Sequence, residues 1–285
     1  MIIIRNLRSF CILFFCAIIS CIITEYILTD ISSEKMIELS VNDDVFRKMD
    51  LSGIDMEYVE EVSKTYEMDS YELILTAVYH NLDIREGIAW DKQYIWGLRN
   101  NLIKQYSDFK QMKGILKALT EEMVYFPVAA STKDVPFVEY VDSWQFERTY
   151  GGNRLHEGCD LMGLLNERGL YPIVSVSDGV VEKMGWLEKG GYRVGIRSDN
   201  GIYYYYAHLS EYADIKEGDR VRAGDLLGFM GDSGYGIKEG TVGKFPVHLH
   251  FGIYVYDLNG REVSINPYWF LQFKNNKVLY FDYGM

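Results

Sequence analysis

The amino-acid sequence predicts an α+β protein in three parts: an N-terminal membrane helix, a small helical region, and a mostly antiparallel β domain. Three features lead there. An apolar run lies near the start, an apolar period of helical spacing occupies residues 55–125, and short alternating apolar runs separated by glycine-containing turns follow residue 150. The boundaries read from these textures are 1–30 for the N-terminus and membrane segment, 31–54 for a polar stalk, 55–125 for the helical region, 126–149 for a linker, 150–273 for the β domain and 274–285 for a C-terminal tail.

The apolar run extends from Phe10 to about Leu28 and carries one charge, Glu25. About 19 residues suffice to cross a bilayer as a helix. Arg5 and Arg8 precede the run and no basic residue directly follows it, which places the N-terminus in the cytoplasm and the remainder outside. No small-x-small cleavage signal follows, so the segment reads as an uncleaved single-pass anchor. The alternative is a lipoprotein. Ile18-Ile19-Ser20-Cys21 resembles a lipidation site at Cys21, although apolar character continues beyond it through Leu28. Of the four cysteines only Cys159 lies beyond the anchor, so the exported part has no intramolecular disulfide.

Of the 285 residues, 48% are hydrophobic and 25% charged, the proportions of an ordinary globular protein. With 41 acidic against 29 basic residues the net charge is -12. No basic stripe is available to neutralise phosphates, which argues against nucleic acid as a partner.

Within the helical region, Asp69 and Ser70 are cap residues for a helix with Leu73, Ala77 and Val78 on its apolar face and Leu82 below. Two further amphipathic runs cover 91–106 and 108–125, so a small bundle is expected, with an envelope protein as a candidate partner. Tyr66–Leu82 faintly resembles the first helical motif of soluble lytic transglycosylases. His80-Asn81-Leu82 stands where their glutamic acid would be, which implies a non-catalytic remnant. The β texture comprises Val174–Val181, Tyr192–Ile196, Ile202–Ala207, Leu226–Met230 and Val247–Tyr256, with turn residues such as Asp199-Asn200-Gly201 between them.

Four of the five histidines lie in this β region, in three groups. His248 and His250 are two apart on an alternating strand and therefore share a face, opposite Val247, Leu249, Phe251, Ile253 and Val255. His156 and Asp160 supply a nitrogen and an oxygen donor near each other, with Gly158 permitting a tight backbone between them and Glu157 as an alternative carboxylate. His208 ends a tyrosine-rich strand, where alternation puts it on the face of Tyr204 and Tyr206. Together these residues make three metal donors and two further imidazoles, the set a hydrolytic zinc site requires.

Six stretches, in order, carry a resemblance to a known family: Arg154-Leu-His156-Glu-Gly-Cys-Asp160, Ser177-Asp-Gly-Val-Val181, Tyr206-Ala-His208-Leu-Ser210, Gly218-Asp-Arg-Val-Arg-Ala-Gly224 with Leu227-Gly228, His248-Leu-His250-Phe251, and Asn266-Pro267. Residues 150–270 resemble the lysostaphin-like (LytM-type) zinc endopeptidases that cut peptidoglycan peptides. The resemblance implies a β peptidase domain of the duplicated hybrid motif type, with its site in a groove across the sheet. It implies one zinc ion per chain held by His156, Asp160 and His250, with His208 and His248 as catalytic histidines and a peptidoglycan peptide as substrate. Two other readings are kept beside it: a catalytically silent relative serving as an envelope scaffold or activator, and an iron oxygenase, since two histidines and a carboxylate also hold iron. Gly218–Gly228 also looks like the turn of a lipoyl-type domain, but without a lysine at its tip. Cys159 is expected to face away from Asp160 as a structural thiol, and an extra loop, Ile237 to Pro246, to shape the groove.

Overall fold

The computed structural model of the protein describes residue 19, residues 41–150 and residues 152–284. Apart from residue 19, the expected anchor at 10–28 lies outside the described residues, as do Cys11, Cys16 and Cys21. Among the described residues no helix is long and apolar enough to cross a membrane.

Five helices open the described chain: α1 (Asp44–Lys48), α2 (Met56–Tyr66), α3 (Ser70–His80), α4 (Lys92–Gln105) and α5 (Phe109–Glu122). The first four begin at an aspartate, Asp43, Asp55, Asp69 or Asp91, whose side chain accepts from first-turn backbone N–H groups. Helix α3 is central and touches each of the other four. That explains why Leu73, Ile74, Leu75, Thr76, Ala77 and Val78 are all buried, where a surface helix would bury one stripe. Its half-buried Glu72 binds Arg99 of α4 at 2.6 Å and Lys113 of α5 at 2.9 Å, tying three helices together.

The remainder is built on strands. In chain order they are β1 (Ala130–Ser131), β2 (Val138–Glu139), β3 (Glu147–Arg148), β4 (Arg154–Leu155), β5 (Cys159–Gly163), β6 (Pro172–Val174), β7 (Gly179–Leu187), β8 (Gly191–Arg197), β9 (Tyr203–Tyr212), β10 (Arg220–Val221), β11 (Leu226–Met230), β12 (His248–Tyr256), β13 (Glu262–Ile265) and β14 (Tyr280–Phe281), with helix α6 (Tyr268–Phe273) before the last. Among the described residues, ten strands join one antiparallel sheet with the path β10-β7-β8-β9-β12-β5-β2. Strand β13 also pairs with β12, and β11 bridges β6 and β9. The mostly antiparallel β domain expected from the alternating runs is thus present. Its inward face carries Leu161, Val194, Ile196, Tyr204, Tyr206, Leu249, Phe251 and Ile253, each fully buried.

The helical region and the sheet share one continuous apolar core. Polar contacts lock the two together. Arg47 of α1 donates from Nε and Nη2 to the carbonyl and hydroxyl of Ser264, both at 3.0 Å, and the Asn266 N–H donates to the Arg47 carbonyl at 2.8 Å. At the end of α5, Glu122 accepts from Ser198 at 2.5 Å and from the Asn200 side chain at 2.6 Å.

Several segments differ from their sequence reading. Residues 41–54, expected as the end of a stalk, bury Val41, Phe46, Met49, Leu51 and Ile54, five apolar positions sparse enough among polar ones to pass for a linker. Residues 126–149 were expected to be a linker too, yet β2 pairs with β5, β3 pairs with β4, and Phe126, Val128 and Ala129 are wholly buried. The C-terminal tail contributes β14, which runs parallel to β1. These strands are only two residues long, too short to show an alternating period.

Candidate metal centre and groove

Strand register assembles the site. On the antiparallel pair β5–β12, Asp160 stands directly opposite His250, so both side chains rise from the same face. Cys159 points the other way, fully buried, with its thiol donating to the Val141 carbonyl at 3.3 Å. Burial pushes that thiol's pKa up, as befits a structural group.

His156 lies between β4 and β5 and reaches the same point. Its Nε2 is 2.9 Å from Nδ1 of His250 and 3.0 Å from Oδ1 of Asp160, and His250 Nδ1 is 3.1 Å from that same oxygen. The approach requires Gly158. A Cβ there would lie 2.6 Å from Cε1 of His250 and 2.5 Å from the Phe251 carbonyl oxygen. Glu157 is exposed at the groove edge, outside the convergent set. The only group of three metal-capable donors found among the described residues is His156, Asp160 and His250.

The surroundings orient these donors. His156 Nδ1 lies 2.9 Å from the Ser143 carbonyl, an acceptor, and 3.0 Å from Nη2 of Arg148, a donor; the tautomer that donates to the carbonyl presents the Nε2 lone pair inward. Arg148, on β3, donates to Oδ2 of Asp160 at 2.6 Å and leaves Oδ1 to the imidazoles. Burial works against charge on Asp160, but the surrounding imidazoles of His156, His250 and His248 outweigh it and hold the carboxyl well below the usual carboxylate range. Burial lowers the pKa of His250 to about 4, so its imidazole is neutral at pH 7, as a metal ligand must be.

Two imidazoles flank this set without joining it. His248 Nδ1 donates to the Pro246 carbonyl at 2.7 Å, and His208 Nδ1 to the Ser233 carbonyl at 2.7 Å. Each therefore keeps an unprotonated Nε2. Desolvation lowers the pKa of both rings, and in His208 the neighbouring imidazoles add to it. Their centroids are 4.7 Å apart, and His248 Nε2 is 3.8 Å from Asp160 Oδ1.

The expected face of His208 is corrected by the structure. Tyr204 and Tyr206 point into the core against Phe251, whereas His208 lies in the groove beside Tyr203, Tyr205 and Ala207. The cause is a β-bulge. Between the pairs Val194↔Tyr206 and Tyr192↔Leu209, β8 contributes one residue and β9 two, and His208 adopts φ 66° in the left-handed region. The extra residue reverses the alternation at that point.

The groove encloses about 550 Å³ and runs over Tyr203, Tyr205 and Tyr254 to His208 and His250. No residue of the loop 237–246 lines this groove; the loop reaches the site through Phe245, whose ring stands 4.5 Å from His208 and 5.0 Å from His248. Arg148, the Ser143 carbonyl and Phe245 were not visible in the sequence, since no local spacing links Arg148 to Asp160 across two strands.

A sheet groove with convergent nitrogen and oxygen donors at one end defines the chain as a β-sheet protein with a donor set that could hold a metal ion. Comparison with known proteins makes this particular. Residues 154–267 match the model of peptidase family M23. The chain is 47% identical over 131 residues to the L-Ala–D-Glu endopeptidase of Bacillus subtilis, and 34% identical over 103 residues to the glycyl-glycine endopeptidase ALE-1 of Staphylococcus capitis. These matches cover 45% and 35% of this chain but only 38% and 24% of the relatives' own lengths. A crystal structure of a provisionally assigned glycyl-glycine endopeptidase lytM from Ruminococcus gnavus superposes with a TM-score of 0.69 at 39% identity, covering 86% of this chain and 95% of that one. The chain belongs to peptidase family M23.

Proposed function

We propose that this chain is a zinc-dependent endopeptidase that hydrolyses peptide bonds in peptidoglycan, acting at the bond between L-Ala and D-Glu of the stem peptide. The observation that carries the reading is the division of five side chains into three convergent donors and two imidazoles whose Nε2 atoms are free. The similarity to the Bacillus subtilis L-Ala–D-Glu endopeptidase supports the choice of bond. The apolar run 10–28, with Arg5 and Arg8 before it, supports attachment to the membrane with the β domain outside the cytoplasm.

His156 through Nε2, Asp160 through Oδ1 and His250 through Nδ1 would hold the zinc ion. Bond lengths of about 2.0–2.1 Å around a four-coordinate zinc imply donors roughly 3.3 Å apart. The observed separations of 2.9–3.1 Å fit that after a slight expansion. Bound zinc supplies Lewis acidity, polarising a peptide carbonyl and acidifying water. The rest falls to the chain. His248, nearest the donors, takes a proton from the attacking water on Nε2 and returns it to the leaving amine. His208, whose ring stands 4.7 Å from that of His248, orients the substrate by accepting a hydrogen bond on its unprotonated Nε2. Phe245 covers both rings and keeps bulk water from them.

Release of new amino groups from purified peptidoglycan by the full chain tests the reading. Cleavage is expected to vanish on chelation and to return with zinc. His248→Ala is expected to retain zinc and lose turnover by at least about a hundredfold, whereas His250→Ala and Asp160→Ala lose zinc and turnover together. A zinc-loaded, folded chain that releases no amino groups from peptidoglycan overturns it.

A further inference from the structure

We infer that Arg154, Lys189 and Arg193 form an anion-reading wall of the groove that recognises a free carboxylate on the substrate residue next to the scissile bond. All three line the groove with His208 and His250. In a chain of net charge -12 these cations are conspicuous for what they lack. Among the described residues none of the three pairs with a carboxylate, although Arg197 on the same strand as Arg193 binds both Glu182 and Glu262 at 2.6 Å. The Arg193 guanidinium makes no hydrogen bond, and its Nη1 is buried without a partner. Arg154 is nearly as bare. Its side chain reaches only the Tyr235 hydroxyl at 3.3 Å, and its Nε is buried and unpartnered.

A half-buried guanidinium without protein partners keeps its donors for water or for a ligand that enters the groove. Placement supports the latter use. Arg154 is two residues before His156. Gly190, next to Lys189, accepts the His208 N–H at 2.8 Å. Arg193 is the single β8 residue facing the bulge at Ala207 and His208. The groove is not uniformly cationic: Glu157 and Glu262 also line it, the first exposed and the second bound to Arg197. A planar carboxylate matches the guanidinium fork, and a peptide presents one directly at the reacting centre when the residue donating the scissile nitrogen is a glutamate. Glutamate has two carboxyl groups and only one continues the chain. The inference deepens the proposed cleavage at L-Ala–D-Glu and rests on it for the identity of the acidic residue.

The test uses two synthetic peptides joining L-Ala to D-Glu, with the glutamate carboxyl outside the chain left as the acid in one and converted to the primary amide in the other. Binding is measured calorimetrically on zinc-loaded His248→Ala full chain, and turnover on the unmodified full chain. The acid is expected to bind at least about tenfold more tightly than the amide, as charge-assisted hydrogen bonds require. Combining Arg154→Gln, Lys189→Gln and Arg193→Gln is expected to bring that ratio near one, while Arg193→Lys alone retains most of it. Circular dichroism and zinc content confirm that the variants are folded. Equal binding of the two peptides, binding of neither, or a preference that survives in the triple variant overturns the inference. If the acid is preferred in binding yet the unmodified chain cuts neither peptide, the wall stands and the cleavage reading fails. If both are cut and bound alike, the reading stands and the wall fails.

Discussion

At the scale of single residues, Arg148 shows how a group outside the donor set controls it. Its bond to Oδ2 turns the Asp160 carboxylate so that Oδ1 faces His156 and His250. Arg148→Ala is expected to weaken zinc affinity about 10–100-fold, the usual consequence of losing an outer partner, and Arg148→Lys to restore part of it. Competition with a chromophoric chelator reads this directly. The buried imidazoles set a second expectation. His208, His248 and His250 have lowered pKa values in the folded chain, to about 4 for His250. Between the ordinary histidine pKa of about 6.5 and the folded values the unfolded chain therefore binds more protons, so the metal-free protein loses stability as pH falls through that window. Urea midpoints of the chelated protein at pH 7.5, 5.5 and 4.5 are expected to fall in that order. A constant midpoint would show that these rings are not held neutral.

Elements place those residues, and two local backbone features matter most. The bulge at His208 turns an imidazole from the core face into the groove. Gly158 lets the segment from His156 to Asp160 lie against β12, where an added methyl would meet both the His250 ring and the Phe251 carbonyl. The Phe251 carbonyl belongs to a central strand and has little room to yield. Gly158→Ala is expected to cost about 1–3 kcal/mol of stability through overpacking and to displace His250. Calorimetric melting and zinc titration of the variant check both effects. Full zinc affinity in a destabilised variant would mean that the segment shifts while the donors do not.

For the whole molecule, the helical region and the sheet behave as one body. They share a core, and Arg47 and Glu122 bind sheet-domain groups across the junction. The likeness to the Ruminococcus gnavus structure extends over 86% of the chain, well beyond the family match at 154–267. A fragment beginning at residue 126 is expected to melt at least about 10 °C lower than one beginning at residue 41, each kcal/mol lost being worth about 2–4 °C at this size. Circular dichroism melts decide it. Coincident melting would show that the bundle adds little to the β domain's stability.

Much of the site was legible from residue order because the relevant signals are local. Positions two apart on a strand share a face, which pairs His248 with His250 and sends Leu249 and Phe251 inward. The cap at Asp69 and the opposed directions of Cys159 and Asp160 follow from equally short-range rules. Short strands such as β1, β2 and β14 carried no readable period. What remained open involves groups brought together only by strand pairing. Asp160 meets His250 across 90 residues, and His208 takes its tautomer from the Ser233 carbonyl 25 residues on. Alternation assumes an uninterrupted strand, so it misplaced His208, where one extra residue in β9 inverts the faces. The donor types lay in the sequence, since imidazole and carboxylate chemistry does not depend on the fold. Which nitrogen points inward, which oxygen is left free and which cations remain unpaired were settled by tertiary contacts, because those are properties of neighbours that the linear order does not contain.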